Sequence, residues 1–247
     1  MNSSEYYEQY WATGLSGWSP TGVKLSRFEE ELLASFVPPR SRVLDFGCGD
    51  GSHAASFLVS NQCTYLGTDV SETAVAMCRA KGLDAIRSSS EAPLPFDGDS
   101  FDSVLSFEVF EHLFNPLGAL KDIHRVLRSG KYLIGSVPNA VYIANRLLMT
   151  VGHFSPGGSP ATSLKAPWND PHIRFFSARS VRALLTEAGF RKCLVFGQEF
   201  SLGDFPVLYR SAPRVRQLVA VCSRPFASLG KWRPSLFSAR LYFAAQK

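Results

Sequence analysis

The chain has no C-x-x-C pair, and its five cysteines (Cys48, Cys63, Cys78, Cys193, Cys222) are odd in number and scattered. That spacing argues against a thiolate zinc site and against a disulfide framework, and for a reducing compartment. No apolar run approaches the ~20 residues needed to span a bilayer. Met1–Tyr10 is polar, acidic and aromatic, without the basic and apolar regions of a signal peptide. The expectation is a cytoplasmic protein, soluble or peripheral on a membrane. There is no internal repeat and no low-complexity tract. Acidic residues are nearly missing from one part of the chain. From Ser201 onward one acid, Asp204, stands against eight Lys and Arg, so that segment carries +7 and residues 1–200 carry −2 of the net +5.

What is present is enough for a full core: 247 residues, 45% of them hydrophobic. The organising stretch is Val43-Leu44-Asp45-Phe46-Gly47-Cys48-Gly49-Asp50-Gly51. It reads as a buried strand over 42–46, a tight glycine turn, and a helix over about 52–60. Glycine reaches positive φ and lets a ligand approach the backbone. The helix N-terminus behind it favours an anionic or polar group. The spacing is G-x-G-x-G, a near miss for the G-x-G-x-x-G dinucleotide fingerprint.

Further elements alternate. Ser26–Phe36 has helical spacing and stops at Pro38-Pro39. A second strand runs from Thr64 to Thr68 and ends at Asp69. Ser71 caps a helix to about Lys81, and Asp84–Arg87 is a short third strand. Phe101–Phe107 is a fourth strand, followed by a helix over Pro116–Leu127 and a fifth strand over Tyr132–Val137. Ser177 caps a helix to Ala188, Lys192–Phe196 is a sixth strand, and Phe237–Ala245 is the last. The fold class expected is α/β, a doubly wound, mostly parallel seven-stranded sheet with an antiparallel hairpin of the last two strands. Two long segments interrupt it, residues 139–170 with a helical piece near 141–151, and 198–236 with a basic amphipathic helix around Val215–Cys222. Tyr6, Tyr7, Tyr10, Trp11 and Trp18 make residues 1–39 either an aromatic lid with its helix or plain surface packing.

In such sheets ligands bind beyond the carboxyl ends of the strands. Asp69 lies there, 18 residues after Gly51, where a carboxylate accepts hydrogen bonds from a ribose diol. This geometry suits a nicotinamide or an adenosyl cofactor. Glu108, Glu111 and His112 are spaced i, i+3, i+4. In a helical turn they share one side, and His172 follows on the same side of the sheet. Carboxylates with imidazoles there suit a divalent cation such as Mg²⁺ or Mn²⁺. Without a metal, His172 or His112 is the first candidate for a general base. His53, His124 and His153 have no partner in the sequence and read as structural.

Seven blocks in register resemble the class I S-adenosylmethionine-dependent methyltransferases over roughly residues 40–196. They are V-L-D-F-G-C-G-D-G, G-T-D-V-S, L-P-F-D-G-D-S-F-D, F-E-V-F-E-H-L, H-R-V-L-R-S-G-K-Y-L-I-G-S-V-P-N, H-I-R-F-F-S and L-L-T-E-A-G-F. The resemblance implies a Rossmann-like fold, with 1–247 forming one methyltransferase domain. It places Gly47, Cys48 and Gly49 under the methionine end of the cofactor, with Asp45 supporting the turn. Asp69 would hold the ribose, Val70 would pack on adenine, and Phe107 would border the cofactor. Ser90, Glu91 and Ala92 fall where the family binds the adenine amino group. Ser90 stands where the family often has Asp, which leaves Ser90 and Glu91 both open as that contact. Ser129-Gly130-Lys131 replaces the common P-G-G turn.

The E-x-x-E-H element with a distant His is similar to two metal-dependent branches, the small-RNA 2′-O-methyltransferases and the ubiquinone-pathway catechol O-methyltransferases. It implies Glu108, Glu111, His112 and His172 as metal ligands, and His172, His112 and Glu111 as catalytic. The expected function is O-methylation of a hydroxyl on a small or lipid-linked metabolite, a sugar, glycolipid or phenol. N- or C-methylation, RNA 2′-O-methylation and a non-catalytic cofactor-binding adaptor are the alternatives. Asn139, Tyr142, Asn145, Arg146, Phe154, Trp168 and Asn169 are candidate substrate contacts. Arginines interleaved with aromatics over 201–247 suit an anionic membrane surface, and no RNA-binding module is visible.

Overall fold

The computed structural model describes residues 3–13, 24–89, 92–153, 171–200 and 224–247, together with 214, 218, 221 and 222. Seven strands form one sheet: β1 Arg42–Phe46, β2 Thr64–Asp69, β3 Ala85–Arg87, β4 Phe101–Phe107, β5 Leu127–Pro138, β6 Arg191–Gly197 and β7 Arg240–Gln246. Their order is β3-β2-β1-β4-β5-β7-β6. The first five are parallel, and β7 lies antiparallel between β5 and β6. This is the expected mostly parallel α/β sheet with its antiparallel C-terminal hairpin.

Alternation along the strands divides the core in two. Leu44, Val104, Leu133, Leu241 and Phe243 face a cluster with Leu120 and Ile123 of α5 (Pro116–Val126) and with Val181 and Leu185 of the helix Ala178–Glu187. Val43, Leu105, Ile134, Tyr242 and Ala244 face the other side. There they meet Leu32 and Leu33 of α2 (Arg27–Phe36), Leu58 of α3 (Ala55–Ser60), and Val75 and Cys78 of α4 (Glu72–Ala80). Polar caps set the helix starts. Ser26 and Glu29 form a capping box on α2, Ser71 caps α4, Asn115 caps α5 ahead of Pro116, and Ser177 with Ser180 caps Ala178–Glu187.

Three boundaries differ from the sequence reading by three residues or more. The helix after the glycine turn starts at Ala55 rather than near Ser52. Asp50 accepts from the Ser52 amide at 3.0 Å and from Lys81 Nζ at 2.6 Å, which holds the intervening residues in turns. Strand β5 begins at Leu127, which pairs with Phe101, and Tyr132 pairs with Ser103 only after an irregularity. Gly130, at φ +76°, donates to the Lys247 carbonyl and so joins that irregularity to the chain end. The last strand starts at Arg240 rather than Phe237, because Pro234–Phe237 is a helical turn. Its carbonyls at Pro234 and Ser235, and that of Ser238, are held by Asn139 Nδ2.

The helical piece of the first interruption is α6, Ile143–Thr150. Of the amphipathic helix expected over Val215–Cys222, Leu218, Val221 and Cys222 are described, helical and exposed; the rest lie outside the described residues. Among the described residues no helix is long and apolar enough to cross a membrane.

Candidate functional site

The glycine turn is built by backbone and a carboxylate. Gly47 and Cys48 donate to the Thr68 carbonyl at 2.8 and 3.0 Å, which ties the end of β1 to the end of β2. The Gly49 amide donates to Asp69 Oδ2 at 2.9 Å, and Ser71 donates to Oδ1 at 3.0 Å. Burial pushes the Asp69 carboxyl up, against the bonds from Ser71 and Gly49. Gly47 sits at φ +76° with Val109 packed against it, and Gly49 at φ +53°. A Cβ on Gly49 would stand 2.5 Å from Trp11 Cζ2. Beneath the turn, Asp45 is buried and accepts from the Tyr65 hydroxyl at 3.1 Å. Desolvation pushes its pKa up to about 6. The Cys48 thiol is buried and bonded toward Cys78, which raises its pKa well above the usual value and marks it as packing. Val70 uses its carbonyl to hold Arg87 Nε at 3.1 Å, and Ala92 is exposed. Ser90 and Glu91 lie outside the described residues.

A helix covers this turn. In α1 (Ser3–Thr13), the Glu8 carboxylate accepts from Ser71 Oγ and the Glu72 amide at 2.8 Å, and from the hydroxyl and amide of Thr73. Glu8 therefore sits on the N-terminus of α4, where a negative charge is favoured. The Thr73 hydroxyl is the main cause of its lowered pKa. Arg87 Nη2 reaches Ser4 Oγ at 3.1 Å, and Tyr7 packs edge-on against His112, with centroids 5.5 Å apart. Burial raises the Tyr7 pKa, with Tyr6 and Glu111 adding to it. Trp18 lies outside the described residues.

Beyond β4 the chain turns sharply. Glu108 has φ +55°, and only Phe110–His112 is helical, as one 3₁₀ turn. The expected i, i+3, i+4 face therefore does not form. Glu111, His112 and His172 do converge, each offering a ligand atom within 4.8 Å of the others. Glu111 Oε1 is 3.7 Å from His112 Nε2 and 3.8 Å from His172 Nε2, and Glu111 is 1% exposed. The two imidazoles stack at 4.6 Å. His172 is brought in because Ile173 and Arg174 both donate to the Glu111 carbonyl, at 2.9 and 3.0 Å. His112 Nδ1 lies 3.3 Å from the Pro171 carbonyl.

Glu108 is not in that group. Its Oε1 accepts from Ser136 Oγ at 2.8 Å and pairs with Arg240 Nε at 3.2 Å. The left-handed backbone at Glu108 turns it away from its neighbours, which spacing could not reveal. Several substrate candidates are also committed elsewhere. Asn139 and Asn145 are buried and hold backbone carbonyls, Tyr142 is buried, and Arg146 Nε bonds the Val141 carbonyl. Phe154, Trp168 and Asn169 lie outside the described residues. The Phe107 ring lies 4.8 Å from that of His53. The sequence reading did not pick out Glu8, Glu29 or Arg240, and it read His53 as structural. The contacts that place them here, Glu8 with Ser71, Glu29 with His53 and Arg240 with Glu108, join residues 24 or more positions apart, which no local spacing signals.

A family model described as a methyltransferase domain matches residues 22–194. A protein of Mycolicibacterium smegmatis, named "Probable S-adenosylmethionine-dependent methyltransferase", is 33% identical over 150 residues, 60% of this chain and 51% of its own length. An O-methyltransferase of Pyrenophora dematioidea is 28% identical over 195 residues, 74% of this chain and 66% of its own. The chain thus spans about half to two thirds of the length of these relatives. The phosphoethanolamine N-methyltransferase 2 of Haemonchus contortus, solved with S-adenosyl-L-methionine, superposes with a TM-score of 0.67 at 15% identity. That match covers 100% of this chain and 60% of that one, and it shows a shared fold.

Proposed function

This chain belongs to the methyltransferase-domain family, and from that premise we propose that it is an S-adenosylmethionine-dependent methyltransferase that methylates a hydroxyl of a small or lipid-linked metabolite. The observation that carries the reading is the convergence of Glu111, His112 and His172 at the carboxyl edge of the sheet, within reach of the glycine turn through Val109. An alcohol is a weak nucleophile at neutral pH and needs its proton taken or its pKa lowered. The O-methyltransferase relative supports the same acceptor atom.

The residues fit the cofactor. Gly47 and Gly49 present bare backbone at positive φ, and the Asp69 carboxylate stands at the end of β2 for a ribose diol. Gly47, Cys48 and Gly49 would lie under the methionine end, with Val70 and Ala92 toward adenine. When bound, S-adenosylmethionine supplies a methyl group already activated on a sulfonium. The protein's work is to orient the acceptor and remove its proton. His112 Nδ1 faces the Pro171 carbonyl at 3.3 Å and its Nε2 faces the Glu111 carboxylate at 3.7 Å, an arrangement in which the carboxylate stabilises an imidazole that has taken up a proton. His112 and His172, backed by Glu111, therefore receive the hydroxyl proton. Tyr7 and Trp11 of α1 form the lid that keeps water out.

The same donor set fits a divalent cation. With Glu108 turned to Arg240, two imidazoles and one carboxylate remain, a set that suits Mn²⁺ better than Mg²⁺. The segment 201–247 supplies a peripheral contact with anionic membrane: Phe226 and Trp232 are 54% and 66% exposed, and Arg233 lies over the Trp232 ring at 4.8 Å. Salt-sensitive binding to phosphatidylglycerol vesicles, lost in Trp232→Ser, is the expected result; binding unaffected by salt or by the substitution contradicts it.

The test of function is methyl release from labelled cofactor over a panel of sugars, glycolipids and catechols. It is run with wild type and Glu111→Ala, in chelator and after Mn²⁺ or Mg²⁺ is restored. The reading predicts O-methylated product and a loss of at least ~10²-fold in Glu111→Ala. Methylation at nitrogen or carbon, or a fully active Glu111→Ala, contradicts it. Full activity in chelator removes the cation and leaves the imidazole base.

A further inference from the structure

A second charged cluster stands at the same edge of the sheet, and the proton-transfer reading does not use it. Its centre is Arg240 at the start of β7. The guanidinium pairs through Nε with Glu108 at 3.2 Å, and through Nη1 it lies 3.7 Å from Glu29 Oε1 and 3.3 Å from the Tyr242 hydroxyl. Glu29, on α2, is the buried back of the cluster, its side chain 3% exposed. Its Oε2 is taken by the amide and hydroxyl of Ser26, at 2.7 and 2.8 Å, and His53 Nε2 approaches its Oε1 at 3.6 Å. The front is open: the Arg240 and Glu108 side chains are 40% and 32% exposed. Ser136 and Arg240 both meet Glu108 at Oε1, and among the described residues Oε2 accepts no hydrogen bond.

Two features go beyond packing. A carboxylate buried as deeply as Glu29 is costly unless it is paired, and an apolar residue there would hold a core as well. Glu108 also keeps a left-handed backbone, a conformation strained for a non-glycine residue and typical of functional sites. That conformation places Glu108 between two contacts with the cofactor turn. Phe107 before it packs on His53, two residues past Gly51, and Val109 after it packs on Gly47. An open carboxylate beside an open guanidinium is the complement of a zwitterion, whose ammonium and carboxylate sit on one carbon.

We propose that Glu108 and Arg240 receive the amino-acid end of S-adenosylmethionine, Glu108 taking the ammonium and Arg240 the carboxylate, with Glu29 and His53 as positioning residues behind them. This rests on the reading that the cofactor lies on the glycine turn. It divides the strand-end residues among three parts of one ligand. Asp69 takes the ribose, Glu108 and Arg240 take the amino acid, and Glu111, His112 and His172 are left to face the methyl group. It also gives Glu108 a role other than metal ligation.

The test is calorimetric titration of the full chain with S-adenosylhomocysteine and with 5′-methylthioadenosine, which lacks the amino-acid end. Wild type, Glu108→Gln, Arg240→Met and Asp69→Asn are compared, with thermal melting alongside. Wild type is expected to bind S-adenosylhomocysteine at least ~10-fold tighter than methylthioadenosine. Glu108→Gln and Arg240→Met each lose about 10-fold for the first ligand and less than ~2-fold for the second. Asp69→Asn weakens both. Equal losses for the two ligands in Glu108→Gln reduce the cluster to a structural element and overturn the proposal. So does a wild type that does not distinguish the ligands, a comparison that needs no variant to fold. If Asp69→Asn weakens neither ligand, or wild type binds neither, the placement of the cofactor on the glycine turn fails instead.

Discussion

Asp45 shows how a single residue is held at a cost to the fold. Its pKa of about 6 lies above the ordinary 3.8 because burial disfavours the carboxylate. A raised carboxyl pKa means that the folded state binds the proton more tightly. The penalty is absent below about pH 3.8, grows as pH rises through 6, and is fully present above that. The gap corresponds to about 3 kcal/mol. Asp45→Asn is therefore expected to raise stability at pH 7.5 by about 1–3 kcal/mol and to bring no gain near pH 4, read from urea midpoints at the two values. An equal effect at both would mean that Asp45 is not buried as a carboxylate. Glu29 runs the other way. Burial alone would raise its pKa, but the bonds from His53 and Ser26 overcome that and bring it to about 2, so its contribution persists until pH falls below the usual carboxylate range. Asp69, Glu111 and His112 stand out in the sequence because a strand end and short spacings mark them, and the structure brings Glu111 and His112 together with the distant His172. Glu108 was legible as a residue but not in direction, since its left-handed backbone has no sequence signal. Arg240 and Glu29 are 211 positions apart and had none at all.

Among the elements, α1 carries the least expected arrangement. Its aromatics were readable as either a lid or surface packing, and the contacts of Trp11 with Gly49 and Tyr7 with His112 put it across the site. The anchoring group is Glu8 on the N-terminus of α4, which an aromatic pattern could not show. Trp11→Ala is expected to speed S-adenosylhomocysteine release about 3- to 10-fold in stopped-flow chase, with little change in melting temperature, because a lid acts on the dissociation rate. An unchanged release rate would make α1 ordinary packing. Strand positions were readable throughout, because apolar runs bounded by glycine and caps define them. The misplaced boundaries lie where long-range pairing decides. Leu127 belongs to β5 through Phe101, and Phe237 leaves the last strand because it closes the helical turn Pro234–Phe237, whose Pro234 and Ser235 carbonyls Asn139 holds.

At the scale of the whole molecule, sheet order converts a linear series of strand ends into one site. Parallel β1, β2 and β4 bring Gly47, Asp69 and Glu111 to one edge, and β7, inserted antiparallel beside β5, starts at that edge and delivers Arg240 to it. The mostly parallel fold was legible from the alternation of elements. The convergence of Arg240 on Glu108 was not, because it depends on where the last strand inserts. The central claim is that three groups of residues at this edge divide one cofactor, with the methyl group directed at Glu111, His112 and His172. A crystal structure with S-adenosylhomocysteine tests it most directly. The account predicts the ribose on Asp69, the amino-acid end on Glu108 and Arg240, and the sulfur open toward the Glu111–His112–His172 cluster. A sulfur facing away from that cluster, or an adenine lying over it, would contradict the account.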